Sequence, residues 1–315
     1  MTEDEMYNKL PTVLVIICYD YAKEPFGISR SIELKENVTS SSRLITDNSK
    51  SRVLLLVDDQ EYLCVKDVQD KVVCSKRNPW SIHPWLEREW QLCTTGSSLF
   101  FILHSMPIPG EGDREWLDIH EVGEDGLREK TVWIYNQCGA TNITRILCEP
   151  KGHYTLVDFS SDRFLVFDEA WNFVRSESYE DGVAEEASHA LHRGPVASDG
   201  CGVWVAVSSE NDILFIEAKT RRILARAYLE SLPWDTPCRP HHALIRSLCC
   251  GSDGLVYVLA RVEHLNEATS THVFVFNTRG QYLRRWPVDF RCTSMIFGPE
   301  DRLHILCSHA IFVCD

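Results

Sequence analysis

The sequence predicts an all-β fold in which small sheets repeat along the chain. Three observations support this prediction: helical periodicity is scarce, one arrangement of short apolar runs recurs, and the two ends of the chain complement each other. Val, Ile, Leu, Phe and Tyr dominate the runs, and Gly, Asp, Asn and Ser separate them, which is typical of closely spaced strands. The longest segment with helical propensity, residues 182–192, is short and lies in a loop.

The recurring unit is a strand, a turn, a second strand that ends in Asp, Glu or Asn, another turn and a third strand. Clear copies begin at Tyr154, Val203, Leu255 and Leu303, and noisier copies begin at Val53 and Leu99. In three copies the second strand ends at Asp168, Glu217 and Asn277. Such side chains bond to nearby backbone N–H groups in Asx-type turns, so we expect them to accept hydrogen bonds from the turn that follows.

Each copy follows an aliphatic run that supplies a further strand. The six leading runs start at residues 43, 90, 143, 195, 245 and 292, so the intervals are 47, 53, 52, 50 and 47 residues. Four-stranded propeller blades repeat at about 40–50 residues. The spacing therefore predicts a β-propeller of six four-stranded blades, with seven blades as the alternative.

The ends of the chain fit the same architecture. The last copy stops at Asp315 after its third strand, and the apolar run Thr12–Tyr19 is a strand without a unit of its own. If residues 12–19 pair as the missing outer strand, they close the ring and leave fewer exposed edges. This predicts one propeller domain over residues 1–315. Residues 28–34 could also be the closing strand, and the chain could be cut from a longer protein.

Two stretches of the sequence resemble NHL repeats, which form the six-bladed propellers of many tripartite-motif proteins. They are residues 163–174 and 253–283; in the second, Asp253–Val258 is followed by Val273–Leu283. The unit at residues 213–224 is similar to a WD40 blade as well. The resemblance implies a propeller that binds proteins or RNA. RNA-binding NHL faces are basic, whereas this chain is acidic.

The charge of the chain argues against nucleic acid and membranes as partners. The formal net charge is −14 and the sequence pI is about 5.3. Affinity for phosphates rests mainly on Lys and Arg, so we expect no nucleic acid or membrane partner, and we expect basic partners to be favoured. Residues 71–77 with Arg284 and Arg285 are the best local basic candidate, and we expect them to be solvated charges on strand edges.

The 13 cysteines indicate a reducing compartment. Most lie inside apolar runs, such as Cys18, Cys64 and Cys307, rather than in loops as a disulfide framework. We expect them to be small buried hydrophobic side chains in the cytoplasm or nucleus. The N-terminal sequence lacks the basic segment of a signal peptide, and the run Val13–Cys18 is too short to span a bilayer.

No common catalytic motif is present, so we predict neither catalytic residues nor a cofactor. The strongest metal candidate combines Cys238, His241 and His242 with Cys249 and Cys250. Adjacent strand residues point to opposite faces, so the last two cannot readily share an ion, and we predict no metal site.

An alternative is a metal-dependent hydrolase or lactonase with its site in the central channel. Its ligands would come from the ends of inner strands, and the candidates are Asp58, Asp158 and Asp199. Turn positions are the simpler explanation for Asp158 and Asp199. His153, His272 and His304 flank or lie within strands, and we expect them to be hydrogen-bonded structural residues.

Three loop excursions interrupt the regular units and form the predicted binding surface. They cover residues 107–115, 177–192 and 231–242. Propellers recognise partners through loops on a rigid scaffold, and an exposed tryptophan in acidic surroundings suits a basic peptide. The predicted partner-binding residues are Trp234, Arg239, Glu180, Asp181, Glu185 and Glu186. We therefore predict a non-enzymatic scaffold or adaptor that binds a protein or peptide, with an NHL-type RNA-binding module as a further alternative.

Overall fold

Strands account for nearly all of the chain that the structure, a computed structural model, describes. It describes residues 28–34, 43–46, 53–58, 62–67, 72–77, 91–94, 99–108, 112–123, 126–139, 143–149, 152–158, 161–178, 187, 190–191, 194–198, 201–209, 212–233, 240–264, 269–288, 292–308 and 310–314. No helix among these residues is long and apolar enough to cross a membrane.

The described strands form six four-stranded antiparallel sheets, which we call blades 1 to 6. Blade 1 contains β2 (Arg43–Thr46), β3 (Val53–Asp58), β4 (Tyr62–Asp67) and β5 (Val72–Arg77). Blade 2 contains β6 (Gln91–Thr94), β7 (Leu99–Ile108), β8 (Gly112–Gly123) and β9 (Gly126–Val132). Blade 3 contains β10 (Ile143–Cys148), β11 (Tyr154–Asp158), β12 (Arg163–Phe167) and β13 (Phe173–Ser178).

The second half of the chain repeats this order. Blade 4 contains β14 (Val196–Ser198), β15 (Val203–Ser209), β16 (Asp212–Glu217) and β17 (Ile223–Tyr228). Blade 5 contains β18 (Pro240–Cys250), β19 (Leu255–His264), β20 (Ser270–Asn277) and β21 (Tyr282–Val288). Blade 6 contains β22 (Ser294–Phe297), β23 (Leu303–Leu306), β24 (Ala310–Cys314) and β1 (Ile28–Glu33).

Helical structure in the described ranges is confined to short pieces. They are α1 (Ile134–Cys138) and the single 3-10 turns Leu229–Ser231 and Pro299–Asp301. Within the predicted segment 182–192, the described residues Ala187, Ala190 and Leu191 are helical and fully buried. Their spacing places them on one helix face, which packs between blades 3 and 4.

The blades are arranged as a ring. First strands of successive blades lie side by side, from β6 through β10, β14, β18 and β22 to β2. Between β18 and β22 the Ser247 hydroxyl accepts the Met295 N–H at 3.2 Å. The equivalent bond between β22 and β2 has the Ser294 hydroxyl accepting the Leu44 N–H at 3.5 Å, so the last blade is joined to the first.

Apolar clusters fill the interfaces between neighbouring blades. Each cluster takes side chains from two consecutive sheets, and one of them joins Leu44, Val53 and Leu55 of blade 1 to Ile296, Leu306 and Ile311 of blade 6. Sheets that carry apolar side chains on both faces must be covered on both sides, and the described clusters do this at the five interfaces from blades 2–3 round to blades 6–1. The chain is a β-propeller, and the leading strands predicted from the sequence are β2, β6, β10, β14, β18 and β22.

The strand that closes the ring is not the one preferred from the sequence. β1 (Ile28–Glu33) pairs antiparallel with β24, from Ile28 opposite Cys314 to Glu33 opposite Ala310. The position expected for residues 12–19 beside β24 is therefore occupied, and residues 12–19 themselves lie outside the described residues. The outer strand of a blade borders solvent, which suits the polar run Ile28–Glu33 better than the uniformly apolar run Thr12–Tyr19.

The second strand of each sequence unit is the third strand of a blade. The side-chain hydrogen bonds predicted for the turn after it are confirmed in two blades. The Asp168 carboxylate accepts the Asn172 backbone N–H at 2.8 Å, and the Asn277 side-chain oxygen accepts the N–H groups of Arg279 and Gln281 at 3.0 Å each. Glu217 differs, because its carboxylate accepts the Thr220 hydroxyl instead. Its longer side chain reaches past the backbone N–H groups that an Asp or Asn side chain bonds.

One pair of cysteines departs from the expectation that all are reduced. Cys292, just before β22, and Cys307, just after β23, form a disulfide in the core of blade 6, with their Cα atoms 4.0 Å apart. The two residues are brought together by the antiparallel pairing of β22 and β23. Cys249 and Cys314 are buried cysteines outside any disulfide, as expected, and burial raises the pKa of Cys249.

Candidate interaction surface on the outer rim

The partner-binding residues predicted from the sequence lie outside the described residues. They are Trp234, Arg239, Glu180, Asp181, Glu185 and Glu186. The predicted loop surface therefore stays a prediction. The described part of the 177–192 excursion serves packing, since Ala187, Ala190 and Leu191 contact the blade 3 and blade 4 core.

The proposed metal ligands are not brought together where the structure describes them. Cys249 packs between blades 5 and 6, whereas Cys250 packs against the cluster between blades 4 and 5, so the two thiols do face opposite ways. No group of three His, Cys, Asp or Glu side chains among the described residues could hold a metal ion. Asp158 is fully buried and paired with Arg163 at 2.8 Å.

Two of the strand histidines have hydrogen-bond partners, as predicted. The His272 ring lies 2.9 Å from the Ser270 hydroxyl, and the His304 ring lies 3.0 Å from the Arg302 carbonyl oxygen. Each is a structural contact within its own blade, blade 5 for His272 and blade 6 for His304.

The outer strands share a repeated irregularity. In five of the six described outer strands the pairing register shifts at the second residue, which is a β-bulge. The extra residues are Ser29 in β1, Val73 in β5, Val174 in β13, Leu224 in β17 and Leu283 in β21. The device is therefore a property of the blade repeat.

At three consecutive blades the bulged residue is an exposed aliphatic side chain. The exposed fractions are 47% for Val174, 53% for Leu224 and 49% for Leu283. In blade 4 the reason is visible: Ile223 before the bulge packs toward blade 3, and Ala225 after it packs toward blade 5. The extra residue between them belongs to neither interface and is left in solvent.

Exposed and packed side chains alternate along β17. Leu224, Arg226 and Tyr228 are exposed, while Ala225 and Ala227 between them pack against the core toward blade 5. The Arg226 guanidinium donates to the Tyr228 hydroxyl at 2.8 Å and lies 5.7 Å from the centre of the Tyr228 ring. We call Leu224, Arg226 and Tyr228 the β17 rim.

Charge is segregated between the outer strands and the strands beside them. The outer strands carry nine basic residues and three acidic ones. The basic residues are Arg30, Lys76, Arg77, Arg128, Lys130, Arg175, Arg226, Arg284 and Arg285. The neighbouring third strands carry three basic and seven acidic residues. The outer strands of an acidic protein are thus richer in basic residues than the strands beside them. Of the basic candidate 71–77 with Arg284 and Arg285, residues 72–77 lie in the outer strand of blade 1 and the two arginines in that of blade 5, where both are only partly exposed.

A second unusual cluster lies at the junction of blades 3 and 4. Arg221 is only 3% exposed and has a positive φ of 61°. Its Nη2 atom lies 2.5 Å from Glu149 and 3.2 Å from Glu177, and its guanidinium carbon lies 4.2 Å from the centre of the Trp204 ring. Among the described atoms, Nε and Nη1 have no hydrogen-bond partner. We conclude that Arg221 joins two blades and offers no surface to a partner.

Sequence reasoning missed both features, although each leaves a signal. Outer strands of three units begin with two successive apolar residues, Phe173-Val174, Ile223-Leu224 and Tyr282-Leu283. Strict strand alternation cannot bury both residues, so a bulge or an exposed aliphatic side chain follows. Arg221 and Gly280 likewise each lie two residues before the apolar start of an outer strand.

No protein-family model matches the sequence, and no curated protein is similar to it. Among solved structures the chain is similar to a streptogramin B lyase, with a TM-score of 0.46, 10% identity and coverage of 91% of this chain and 96% of that chain. It is similar to virginiamycin B lyase from Staphylococcus aureus (TM-score 0.46, 11% identity, 90% and 98%) and to U3-55K (TM-score 0.47, 9% identity, 86% and 79%). At these values the matches do not bear on function.

Proposed function

We propose that this chain is a protein-binding propeller, a scaffold or adaptor, that docks a protein partner on the outer rim of blades 3 to 5. The observation that supports the proposal is the repetition of an exposed aliphatic residue, Val174, Leu224 and Leu283, at the same bulge of three consecutive blades. Single exposed aliphatic residues are ordinary on protein surfaces, whereas repeated placement at one height of a ring builds a surface.

The free energy gained by covering these three side chains shows whether a partner must contact further residues. Burying a whole aliphatic side chain contributes about 1.5–3 kcal/mol. Because each of the three is about half exposed, covering one contributes on the order of 1 kcal/mol. Covering all three gives roughly 3 kcal/mol, which is short of the ~8 kcal/mol of a micromolar complex. The partner must therefore also contact Arg226 and Tyr228, which are residue types enriched at binding hot spots.

The predicted loop residues offer a second contact region for the same function. Trp234 and the acidic residues Glu180, Asp181, Glu185 and Glu186 precede or follow the strands of blade 4 in sequence. A basic peptide suits that acidic segment, as the sequence analysis proposes.

The test is site-specific crosslinking in cells. A photoreactive phenylalanine analogue at Leu224 is expected to capture a protein. The same analogue at Trp133, an exposed apolar residue that follows the outer strand of blade 2 and so lies outside blades 3 to 5, is the matched control. Leu224→Ser is expected to weaken capture of that protein about tenfold, which corresponds to ~1.4 kcal/mol. Crosslinks from Trp133 alone, RNA as the only species captured at Leu224, or no captured species at Leu224 would overturn the proposal.

A further inference from the structure

Blade 6 combines strands from two distant parts of the chain. Its outer strand is β1, whereas β22, β23 and β24 lie more than 250 residues later; in the other five described blades the four strands are consecutive. Noncovalent contacts join the two parts: the pairing of β1 with β24, the bond between Leu44 and Ser294, and the apolar cluster between blades 6 and 1. We call these contacts the seam. The ring opens only if the seam breaks.

The Cys292–Cys307 disulfide lies beside the seam. Cys292 is two residues before Ser294, whose hydroxyl accepts the Leu44 N–H across the seam. Cys307 directly follows Leu306, which packs in the seam cluster against side chains of blade 1. The bond therefore joins the ends of two strands whose residues hold blade 6 against blade 1.

The packing around the disulfide links its redox state to the position of these strands. Cys292 is 3% exposed and Cys307 is fully buried, in the apolar cluster between blades 5 and 6. A disulfide holds its sulfurs about 2.05 Å apart, whereas non-bonded heavy atoms separate to roughly 3.5–4.0 Å. Protein interiors are close-packed, so two thiols at this site push their neighbours apart. Ser294 and Leu306 are the residues closest along the chain, and the seam depends on both.

The other cysteines indicate that the bond is not part of a disulfide framework. Five further cysteines whose side chains the structure describes lie outside any disulfide: Cys138, Cys201, Cys249, Cys250 and Cys314. Thiols persist in reducing surroundings, where a disulfide is usually transient and either catalytic or redox-sensing. A catalytic disulfide must be reached by its substrate, and both sulfurs of this one are buried. A sensing role remains.

We propose that Cys292 and Cys307 form a reversible redox switch that tightens the seam when oxidised and loosens it when reduced. The inference goes beyond the proposed function and does not depend on it. The co-reactant is a low-molecular-weight thiol–disulfide couple, which reaches the buried sulfurs when blade 6 opens locally.

The exchange proceeds in two steps. One cysteine thiolate attacks the small disulfide, which forms a mixed disulfide and releases one small thiol. The second cysteine thiolate attacks the protein sulfur of the mixed disulfide, which forms the Cys292–Cys307 bond and releases the second small thiol. Two electrons pass from the cysteines to the couple, and the two cysteine protons end on the two small thiols. Reduction is the reverse sequence.

The test titrates the whole protein with mixtures of reduced and oxidised glutathione and identifies the alkylated thiols by mass spectrometry. We expect Cys292 and Cys307 to change together, in a single two-electron transition. Amide hydrogen exchange in β1, β2 and β22 should be at least tenfold faster in the reduced protein than in the oxidised one. Exchange in β11 and β12 of blade 3, three blades away, should be unchanged. The Tm should fall by roughly 5 °C on reduction.

Two variants assign the response to this pair. Cys292→Ala combined with Cys307→Ala should abolish it, whereas Cys249→Ala, which removes a buried thiol from the same cluster, should retain it. No disulfide in oxidised glutathione, a disulfide that reduced glutathione leaves intact, equal exchange at the seam in both states, or a response that survives in the double variant would overturn the inference. The comparison of oxidised and reduced protein needs no variant, so it decides the matter even if the double variant fails to fold.

Discussion

Blade 4 meets its two neighbours through two turns that differ in length by one residue and are filled in opposite ways: the Arg221 N–H bonds to the carbonyl four residues back, and the Gly280 N–H bonds to the carbonyl three residues back. The turn before β17 places Arg221 against Phe164 and Glu177 of blade 3, and the turn before β21 places Gly280 against Phe215 and Ala225 of blade 4. Both residues have positive φ, 61° and 73°. At one junction a large buried cation fills the space, and at the other the backbone itself does.

The contrast teaches that the propeller repeat keeps a left-handed residue two positions before the outer strand, and leaves both the length of the turn and the chemistry of the junction open. A left-handed conformation is unfavourable for a residue with a side chain, by roughly 1–2 kcal/mol. At the blade 3–4 junction this cost is offset by two carboxylates and by the ring of Trp204. At the blade 4–5 junction no side chain fits, because a Cβ on Gly280 would lie 2.8 Å from the Ala225 Cβ.

Of the variants at the two junctions, Arg221→Ala is expected to destabilise the fold most. The change leaves Glu149, whose side chain is 11% exposed, without its cation and empties the space between Phe164 and Trp204. We expect the free energy of unfolding, measured in urea, to fall by about 3–5 kcal/mol. Arg221→Ala combined with Glu149→Gln should recover part of the loss, and no recovery would show that packing rather than charge holds the junction.

Gly280→Ala tests the opposite junction. The new methyl group meets Ala225 at 2.8 Å and the Phe215 ring at 3.2 Å, at a backbone conformation that disfavours side chains. We expect a loss of about 1–3 kcal/mol in the free energy of unfolding. Gly254→Ala is the matched control, since its φ of 72° is similar but nothing lies within 4 Å of the added carbon. Equal losses in both would attribute the effect to φ alone.

Arg221→Gly gives the blade 3–4 junction the residue type that Gly280 supplies at the blade 4–5 junction. The glutamates still lose their cation, but the left-handed conformation no longer carries a side chain. We therefore expect Arg221→Gly to be more stable than Arg221→Ala by about 1 kcal/mol in the same urea titration. If the alanine variant is the more stable one, then strain at Arg221 is negligible.

The equivalent turn of blade 3 supplies a pH-dependent test. Hydrogen bonds from the Asn172 backbone N–H and side-chain amide lower the pKa of Asp168 below its ordinary value of 3.8. A lowered folded-state pKa means that this carboxylate stabilises the fold above 3.8 and loses its effect as pH falls through the lowered value. Asp168→Ala should therefore have a lower Tm than the original protein near neutral pH, and the difference should shrink in acid. A constant difference would refute the assignment.

The smallest effect on stability is expected on the β17 rim, which lies outside both junctions. Leu224→Ser removes a half-exposed side chain at a bulge. We expect the free energy of unfolding to change by no more than about 0.5 kcal/mol, measured in urea. A larger loss would mean that Leu224 packs in the fold, and its effect on partner capture would then need another explanation.

Local sequence signals predicted the strand units and the Asp168 and Asn277 turns, because those depend on residues a few positions apart. The strand beside β24 comes from the alternative segment, residues 28–34, rather than from the preferred one, and the reason is different. Strand propensity favours Thr12–Tyr19, whereas the choice depends on which segment suits a solvent edge beside β24. The contact of Arg221 with Glu149 spans 72 residues, and neither propensity nor spacing reports a pairing of that kind.

The pairing of β1 with β24 also determines when blade 6 can form during synthesis. About 280 residues separate the two strands, and ribosomes add roughly 5–20 residues per second. β1 therefore waits on the order of 15–60 s for its partner during synthesis, while the blades between them can already form from local hairpins. Blade 6 and the Leu44–Ser294 bond come last, so premature release or a stalled ribosome would leave an open arc of sheets with two apolar faces uncovered.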